Sequence, residues 1–302
     1  MTDFTLEKTA ESTNARAHPG SDAVPMRPMR FEEWFADVPK YFAADGDIVM
    51  SHILAVLSAV FPDGEDFFVR SVSAVREKIT DPRLAQDVEG FIGQESMHGR
   101  EHRAFNDHLA RLGYPTAAIG RYVQTLTALR ERIQGRKGNL GFTAALEHYT
   151  ATLAETLLGD PAAREQIGHP AARYLLLWHA LEEAEHKAVA FDVFRAVGGT
   201  EMMRQVTMWI THLTFVLETG IWTAVSLAGD GYARRHPVQV ARSAWKLRSS
   251  PFTSPGPVKQ LLGYHRPGFH PDDRRTGDLV GAWRQKLFGP EGTLVELLGR
   301  EP

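Results

Sequence analysis

The stretch LLLWHALEEAEH, residues 175–186, decides how this 302-residue chain is read, because it sets ligand-type side chains where a helix should bury apolar ones. In steps of three and four, Ala172, Leu176, His179, Glu183, His186, Ala190, Val193 and Val197 form one seam of a long helix. Glu183 and His186 stand at i and i+3, so both project from one face within a turn. A second seam, Leu84, Val88, Phe91, Glu95, His98, His102, Phe105, Leu109 and Leu112, again carries Glu and His three residues apart at its centre.

Two further seams supply single carboxylates. Glu65 opens Glu65, Phe68, Val72, Val75 and Ile79, and Glu147 lies within Leu140, Ala144, Glu147, Ala151, Ala154 and Leu158. A carboxylate in a helical core is costly unless a cation compensates it, and these seams carry His rather than Arg or Lys. The chain order Glu, Glu-x-x-His, Glu, Glu-x-x-His matches the dimetal site of ferritin-like bundles, where two helices give one Glu each and two give Glu-x-x-His. Four carboxylates also balance two divalent cations in a low-dielectric interior.

The expected fold is therefore all-α, a ferritin-like four-helix bundle with additional helices and extended N- and C-terminal segments. The expected metal ligands are Glu65, Glu95, His98, Glu147, Glu183 and His186. His102 and His179 lie one turn from the pairs, and each is read as either a third nitrogen ligand or a hydrogen-bonding support. Glu182, at i−4 to His186, stays ambiguous, while Glu185 falls outside the seam, at the surface or behind the ligands. No catalytic residue beyond the ligands is assigned.

Composition narrows the chemistry. The chain has no cysteine, which excludes disulfides, thiolate zinc sites and cysteine nucleophiles and leaves nitrogen and oxygen ligation. A net charge of −3 gives no global case for nucleic acid or an anionic membrane. Residues 1–27 are polar, with Pro19 and Pro25 and no apolar run resembling a secretory signal, so a disordered tail and a cytoplasmic location are expected. Residues 28–290 read as one helical dimetal-binding domain and 291–302 as a C-terminal tail. No Walker A, Gly-x-Gly-x-x-Gly or Gly-x-Ser-x-Gly motif occurs.

Along the chain, Asp47 is a plausible N-cap for a helix that should stop before Pro62 and Gly64, with a new helix from Glu65. Asp81 and Pro82 open the Glu95 helix, which breaks at Gly113 and Pro115. Residues 117–134 form a helix closed by Gly135 and Gly138, and the organising helix runs to Gly198 and Gly199. Residues 207–228 are almost continuously apolar. Their internal His212 and Glu218 favour a buried helix that covers the bundle and walls an apolar pocket through Trp209, Phe215 and Trp222, over membrane association. The arginines and lysine after Gly229 read as a solvated face. His265, His270, Asp272 and Asp273 lie in a Pro-rich docking turn, and a last helix covers 276–288.

The runs FPDGEDFFVRSV, FIGQESMHGREHRAFNDHL, WHALEEAEHKAVAFDVF and GYHRPGFHP resemble bacterial proteins described as predicted metal-dependent hydrolases, themselves similar to the ferritin-like group. The resemblance covers about residues 27–290 and implies the same six metal ligands at these positions. It names hydrolysis without a substrate. The carboxylate-rich ligand set instead suits di-iron or di-manganese oxygen chemistry. The leading expectation is two divalent ions, iron or else manganese, in an oxygen-dependent oxidation of a small apolar molecule. Two alternatives stand beside it: a metal-dependent hydrolase, and a non-enzymatic metal-binding relative. A small-molecule substrate and no nucleic acid are expected as partners, with a homodimer allowed.

Overall fold

A computed structural model describes residues 24–299 of the protein, which among these residues is all-α and has no named strand. The long helices are α1 (Ile48–Ser73), α2 (Pro82–Arg111) and α3 (Thr116–Gly159), followed by the short α4 (Pro161–Glu165). Then come α5 (Pro170–His186), α6 (Val189–Ala196), α7 (Glu201–Gly229), α8 (Gly231–Arg235), α9 (Pro237–Lys246), α10 (Pro255–Gly263) and α11 (Gly277–Phe288). α1 packs along α2 and α3, α3 packs along α5, and α7 lies over α1 and α3.

Local chemistry explains most boundaries. The Asp47 carboxylate accepts the Met50 N–H at the start of α1, and Asp81 does the same for Arg83 ahead of Pro82 in α2. α2 ends two residues ahead of Gly113, whose φ of 93° a residue with a side chain would resist. Within α3 the backbone turns at Gly135, with φ 65° and ψ 172°, so the expected division there is seen, while Gly138 stays helical.

Two expected boundaries are corrected. α1 does not stop at Pro62 but runs through it. Proline removes the N–H that would bond the carbonyl four residues earlier, and that carbonyl, Ser58 O, instead accepts Asn106 Nδ2 from α2 at 2.9 Å. A tertiary donor thus repairs the helix. The organising helix, expected to continue to Gly198, is interrupted after His186. At the interruption the buried Lys187 ammonium turns to Glu155 Oε1 at 3.1 Å and Arg274 O at 2.7 Å. Ala190 and Val193 beyond it remain fully buried.

Of the expected N-terminal tail, residues 1–23 lie outside the described residues, as do 300–302 at the other end. Arg27 is buried, Met29 and Phe31 are enclosed in the core, and Arg30 N–H donates to Leu297 O at 3.1 Å. The segment around 28–30 thus runs beside residues 297–299. Among the described residues two large apolar clusters, one around Phe35, Phe105, Leu109 and Trp178, the other around Phe67, Phe91, Leu140 and Phe194, form most of the core, with a smaller third around Val56, Ala59, Ile119 and Val123. The ligand-type residues lie between the two large clusters: the His98 ring is 5.0 Å from Trp178 and the His186 ring 4.9 Å from Phe91.

The 207–228 segment differs from its expectation. It forms α7, but most of its apolar side chains face outward, and only Arg204, Thr207, Met208, Thr211, Thr223 and Ser226 are buried. Phe215 does turn inward to Tyr149, at 4.5 Å between rings. Trp209 instead stacks on His265 at the surface, and Trp222 packs against Tyr122.

Candidate metal centre

α1 brings Glu65, α2 brings Glu95 and His98, α3 brings Glu147, and α5 brings Glu183 and His186 to one buried locus. Three groups of side chains have their ligand-type atoms within 4.8 Å of one another: Glu65, His98 and His179; Glu95, His98 and Glu183; and Glu95, Glu147 and His186. All six residues expected as ligands occur in these groups, together with His179. Glu95 Oε1 lies 3.1 Å from His186 Nε2 and 3.7 Å from His98 Nδ1. Glu183 Oε1 lies 3.0 Å from His179, 3.7 Å from His98 and 3.6 Å from His186. These two carboxylates are therefore central, with Glu65 and His179 toward one end and Glu147 and His186 toward the other.

The polar atoms at the locus are conspicuously unsatisfied. Both oxygens of Glu65, Glu95 and Glu147, with Glu183 Oε2, His98 Nδ1 and His186 Nε2, are buried without hydrogen bonds of acceptable geometry. Buried polar atoms normally find partners, because leaving one unpaired costs about 1–3 kcal/mol and more when it is charged. Nine such atoms converging from four helices are what a cation-binding site requires of its donors. The donor set fits divalent metal.

The outward-facing atoms are, by contrast, fully engaged. Gln94 Nε2 donates to Pro25 O and Glu185 Oε2 at 2.7 and 3.0 Å, so its Oε1 is left to accept His186 Nδ1–H at 2.7 Å. That places the His186 lone pair on Nε2, inside the site. His98 Nε2–H donates to Glu182 Oε2 at 3.0 Å and leaves Nδ1 facing inward. Glu182 is thus a support for His98. Arg27 Nη1 reaches Glu182 Oε1 at 2.9 Å and Glu185 Oε2 at 2.7 Å, bracing both supports at once. Glu185 is not at the surface; its side chain is 2 % exposed and also pairs with Arg284.

A third relay orients His179. Asn106 Nδ2 is committed to Ser58 O, so its Oδ1 accepts the Ser58 hydroxyl at 2.8 Å. Ser58 Oγ then accepts His102 Nδ1–H at 2.8 Å, and His102 Nε2 accepts His179 Nδ1–H at 2.8 Å. The His179 lone pair consequently sits on Nε2, facing Glu183 and Glu65. Of the two histidines left open by the seams, His179 reaches the locus and His102 stands behind it. His148 points elsewhere, toward Gln260 O, and the His265 and His270 cluster disperses onto Gln205, His212 and Asp192.

Electrostatics follows position. Burial, with Glu95 next to it, pushes Glu65 well above the ordinary carboxylate value, and burial beside Glu183 raises Glu147. Burial acts the same way on Glu183 and Glu95. There it is outweighed by the adjacent imidazoles, His179 and His186 beside Glu183 and His186 and His98 beside Glu95, so both stay below their ordinary values. Burial lowers His102 and His179, with neighbouring imidazoles adding to it. For His98 the carboxylates Glu182 and Glu95, and for His186 Glu147 and Glu183, overcome desolvation and raise both.

Beside the locus lies a cavity of about 260 Å³. His179 and Glu183 stand in its wall, which is otherwise almost wholly apolar, with Leu54, Leu57, Phe61 and Leu153 from the bundle and Phe215 from α7. Among the described residues no Lys or Arg lines it.

Sequence reasoning missed Gln94, Ser58, Asn106 and Arg27. Gln94 and Asn106 were detectable in principle, since each lies on α2 beside a seam residue. Arg27 carried no signal, being a single cation in a polar terminal stretch.

No curated protein and no solved structure shows a significant match to the chain. Its sequence does match one family model over residues 25–275, a span that holds every residue of the buried locus: the protein belongs to the family of predicted metal-dependent hydrolases.

Proposed function

We propose that the locus holds two divalent metal ions, in the manner of ferritin-like dimetal-carboxylate proteins, and that the protein hydrolyses a small, uncharged acyl substrate bound in the adjoining cavity. The nine converging, unpaired donor atoms carry the metal reading, and family membership favours hydrolysis. In this reading Glu65, Glu95, His98, His179, Glu183, Glu147 and His186 would hold the ions, with Glu65 and His179 toward one end of the locus and Glu147 and His186 toward the other. Bound divalent ions would supply a water of lowered pKa and polarise a substrate oxygen. The chain's own part is to hold three imidazoles with their lone pairs inward and to exclude bulk water with apolar walls.

The cavity restricts the substrate. At about 260 Å³ it falls just below the ~300–1,000 Å³ of drug-sized ligand sites, so a short apolar chain fits. Without a cationic side chain in the wall, a phosphoester has no partner there beyond the metals, and a carbonyl substrate is favoured.

A second reading rests on that same wall. It offers little beyond threonine and serine hydroxyls to stabilise a developing oxyanion, which oxygen-dependent oxidation of an apolar molecule at a di-iron site would not need. One set of experiments separates the two: metal analysis of the purified protein, hydrolysis of uncharged acyl esters of graded chain length, and admission of oxygen to the reduced, iron-loaded protein. Ester turnover with a redox-inert metal and no response to oxygen supports hydrolysis. Rapid ferrous oxidation without ester turnover favours oxidation, and fewer than one metal per chain sinks both.

A further inference from the structure

α7 is amphipathic the wrong way round for a helix of a water-exposed surface. Its inner face carries Arg204, Thr207, Thr211, Thr223 and Ser226, all buried. Thr207 and Thr211 donate to Met203 O and Thr207 O within their own helix, while Ser226 meets His52 Nδ1 at 2.6 Å and Arg204 reaches Arg266 O at 3.2 Å, so the polar groups of α7 are engaged on its inner side. The outer face carries Val206, Trp209, Leu213, Val216, Leu217 and Ile221, each 51 to 64 % exposed, at helical spacing in one stripe. Surface helices turn such a stripe to the core, and a continuous exposed one marks a contact site.

The segment that follows has its own bias. From Gly231 to Pro271 there are seven Lys and Arg and no Asp or Glu, in a chain whose net charge is −3. Arg234, Arg235, Arg242 and Arg248 are exposed, and between them α9 presents Val238 and Trp245 at 62 and 68 % exposure. The Arg248 guanidinium lies 4.2 Å from the Trp245 ring centre. Apolar and aromatic side chains interleaved with cations suit the headgroup boundary of a bilayer.

We propose that the outer face of α7, with α8 and α9, docks the protein on an anionic lipid surface. The helix lies in the plane of the headgroups. By length and composition α7 could cross a membrane, but its inner face is seated on α1 and α3, and spanning would immerse the exposed Arg121 and Gln124 of α3 as well. A second copy of the chain is the weaker occupant. A two-fold contact is self-complementary, so it would tend to bring the arginine-bearing segments together without an acid between them, whereas anionic lipid compensates them. The inner side of α7 and the segment after α9 also help to wall the cavity, through Phe215 and Thr219 and through Leu247, Phe252 and Thr253.

The test is co-sedimentation of the full-length, metal-containing protein with vesicles of phosphatidylcholine alone or mixed with phosphatidylglycerol, read without any activity assay. Binding is expected on the mixed vesicles, weakened by added salt. Leu213→Glu combined with Leu217→Glu is expected to weaken it by about ten-fold or more, since charge replaces the inserted apolar stripe. Arg234→Ala, Arg235→Ala and Arg242→Ala together should remove the preference for phosphatidylglycerol. All these side chains are exposed, so unchanged circular dichroism and metal content show that the variants remain folded. Equal binding by the Leu variant overturns the proposal. So does a stable dimer in sedimentation equilibrium that the Leu variant dissociates, with no vesicle binding by either protein.

Discussion

Gln94 Oε1 accepts the Nδ1–H of His186 at 2.7 Å, and the amide can present that oxygen because its nitrogen is held by Pro25 O and Glu185 Oε2. Leucine is one atom shorter and offers neither donor nor acceptor. Gln94→Leu leaves the His186 tautomer unselected and frees the ring to turn. Loss of such a support typically costs about 10–100-fold in metal affinity. The expected result is weaker binding of one of two metal equivalents, the one using Glu147 and His186, in a competitive chelator titration. Two equivalents bound as tightly as in the parent protein would show that Gln94 does not set His186.

Glu147 and Glu185 are both buried carboxylates but have opposite surroundings. Both Glu147 oxygens lack hydrogen bonds, whereas Glu185 is matched by Arg27, Arg284 and Gln94. Glu147→Ala should therefore lower metal content by about one equivalent and relieve carboxylate repulsion in the metal-free protein, raising its stability. Glu185→Ala leaves Arg27 with Glu182 and the exposed Arg284 in water, and should destabilise by about 1–3 kcal/mol through the charge-assisted hydrogen bonds lost, with metal content much less affected. Metal analysis and urea unfolding of the two variants check this. Equal metal loss in both would contradict the division into donors and supports.

That the six expected residues meet at one buried locus was legible because a carboxylate or imidazole on an otherwise apolar seam is conspicuous at helical spacing. Everything that required a partner distant in sequence was not. Pro62 reads as a stop until Asn106, on another helix, is seen to take the Ser58 carbonyl. His102 and His179 sit equivalently on their seams, and only the Ser58 relay separates the one that reaches the locus from the one behind it. The apolar stripe of α7 has the same periodicity whether it faces inward or outward, so periodicity alone could not say which. Family membership, over residues 25–275, agrees with the resemblance carried by the motif runs.

Asp230 supplies a pH dependence away from the metal locus. Its carboxylate caps α8 through the Tyr232 and Ala233 N–H groups, accepts the Tyr41 hydroxyl and meets Lys40 and His52. Burial pushes its pKa up, but these partners outweigh it and hold the group well below the ordinary carboxylate value. A depressed folded-state pKa stabilises the fold above the unfolded pKa of about 3.9, and that stability is lost as pH falls toward the folded value. Asp230→Asn should thus cost about 1–3 kcal/mol at neutral pH, the range for hydrogen bonds to a charged group, and less below about pH 4. Urea midpoints across the acid range test the sign. A deficit that grows on acidification would contradict it.

The cavity wall gives the last prediction. Leu57 projects from α1 into the space beside His179 and Glu183, in a cavity of about 260 Å³. Leu57→Trp fills part of that space without touching a ligand or a relay, so metal content should match the parent protein. Leu57→Ala enlarges the space at a cost of about 2–5 kcal/mol in stability if the residue packs as a core leucine, and less if it already borders empty volume. Turnover should respond in opposite senses. The tryptophan variant should prefer shorter acyl chains and lose the longer ones by about ten-fold or more, while the alanine variant should shift its optimum to longer chains. Rates measured against a graded ester series, with metal content measured on the same samples, decide the matter. If both variants keep the parent's chain-length profile, the substrate does not occupy this cavity.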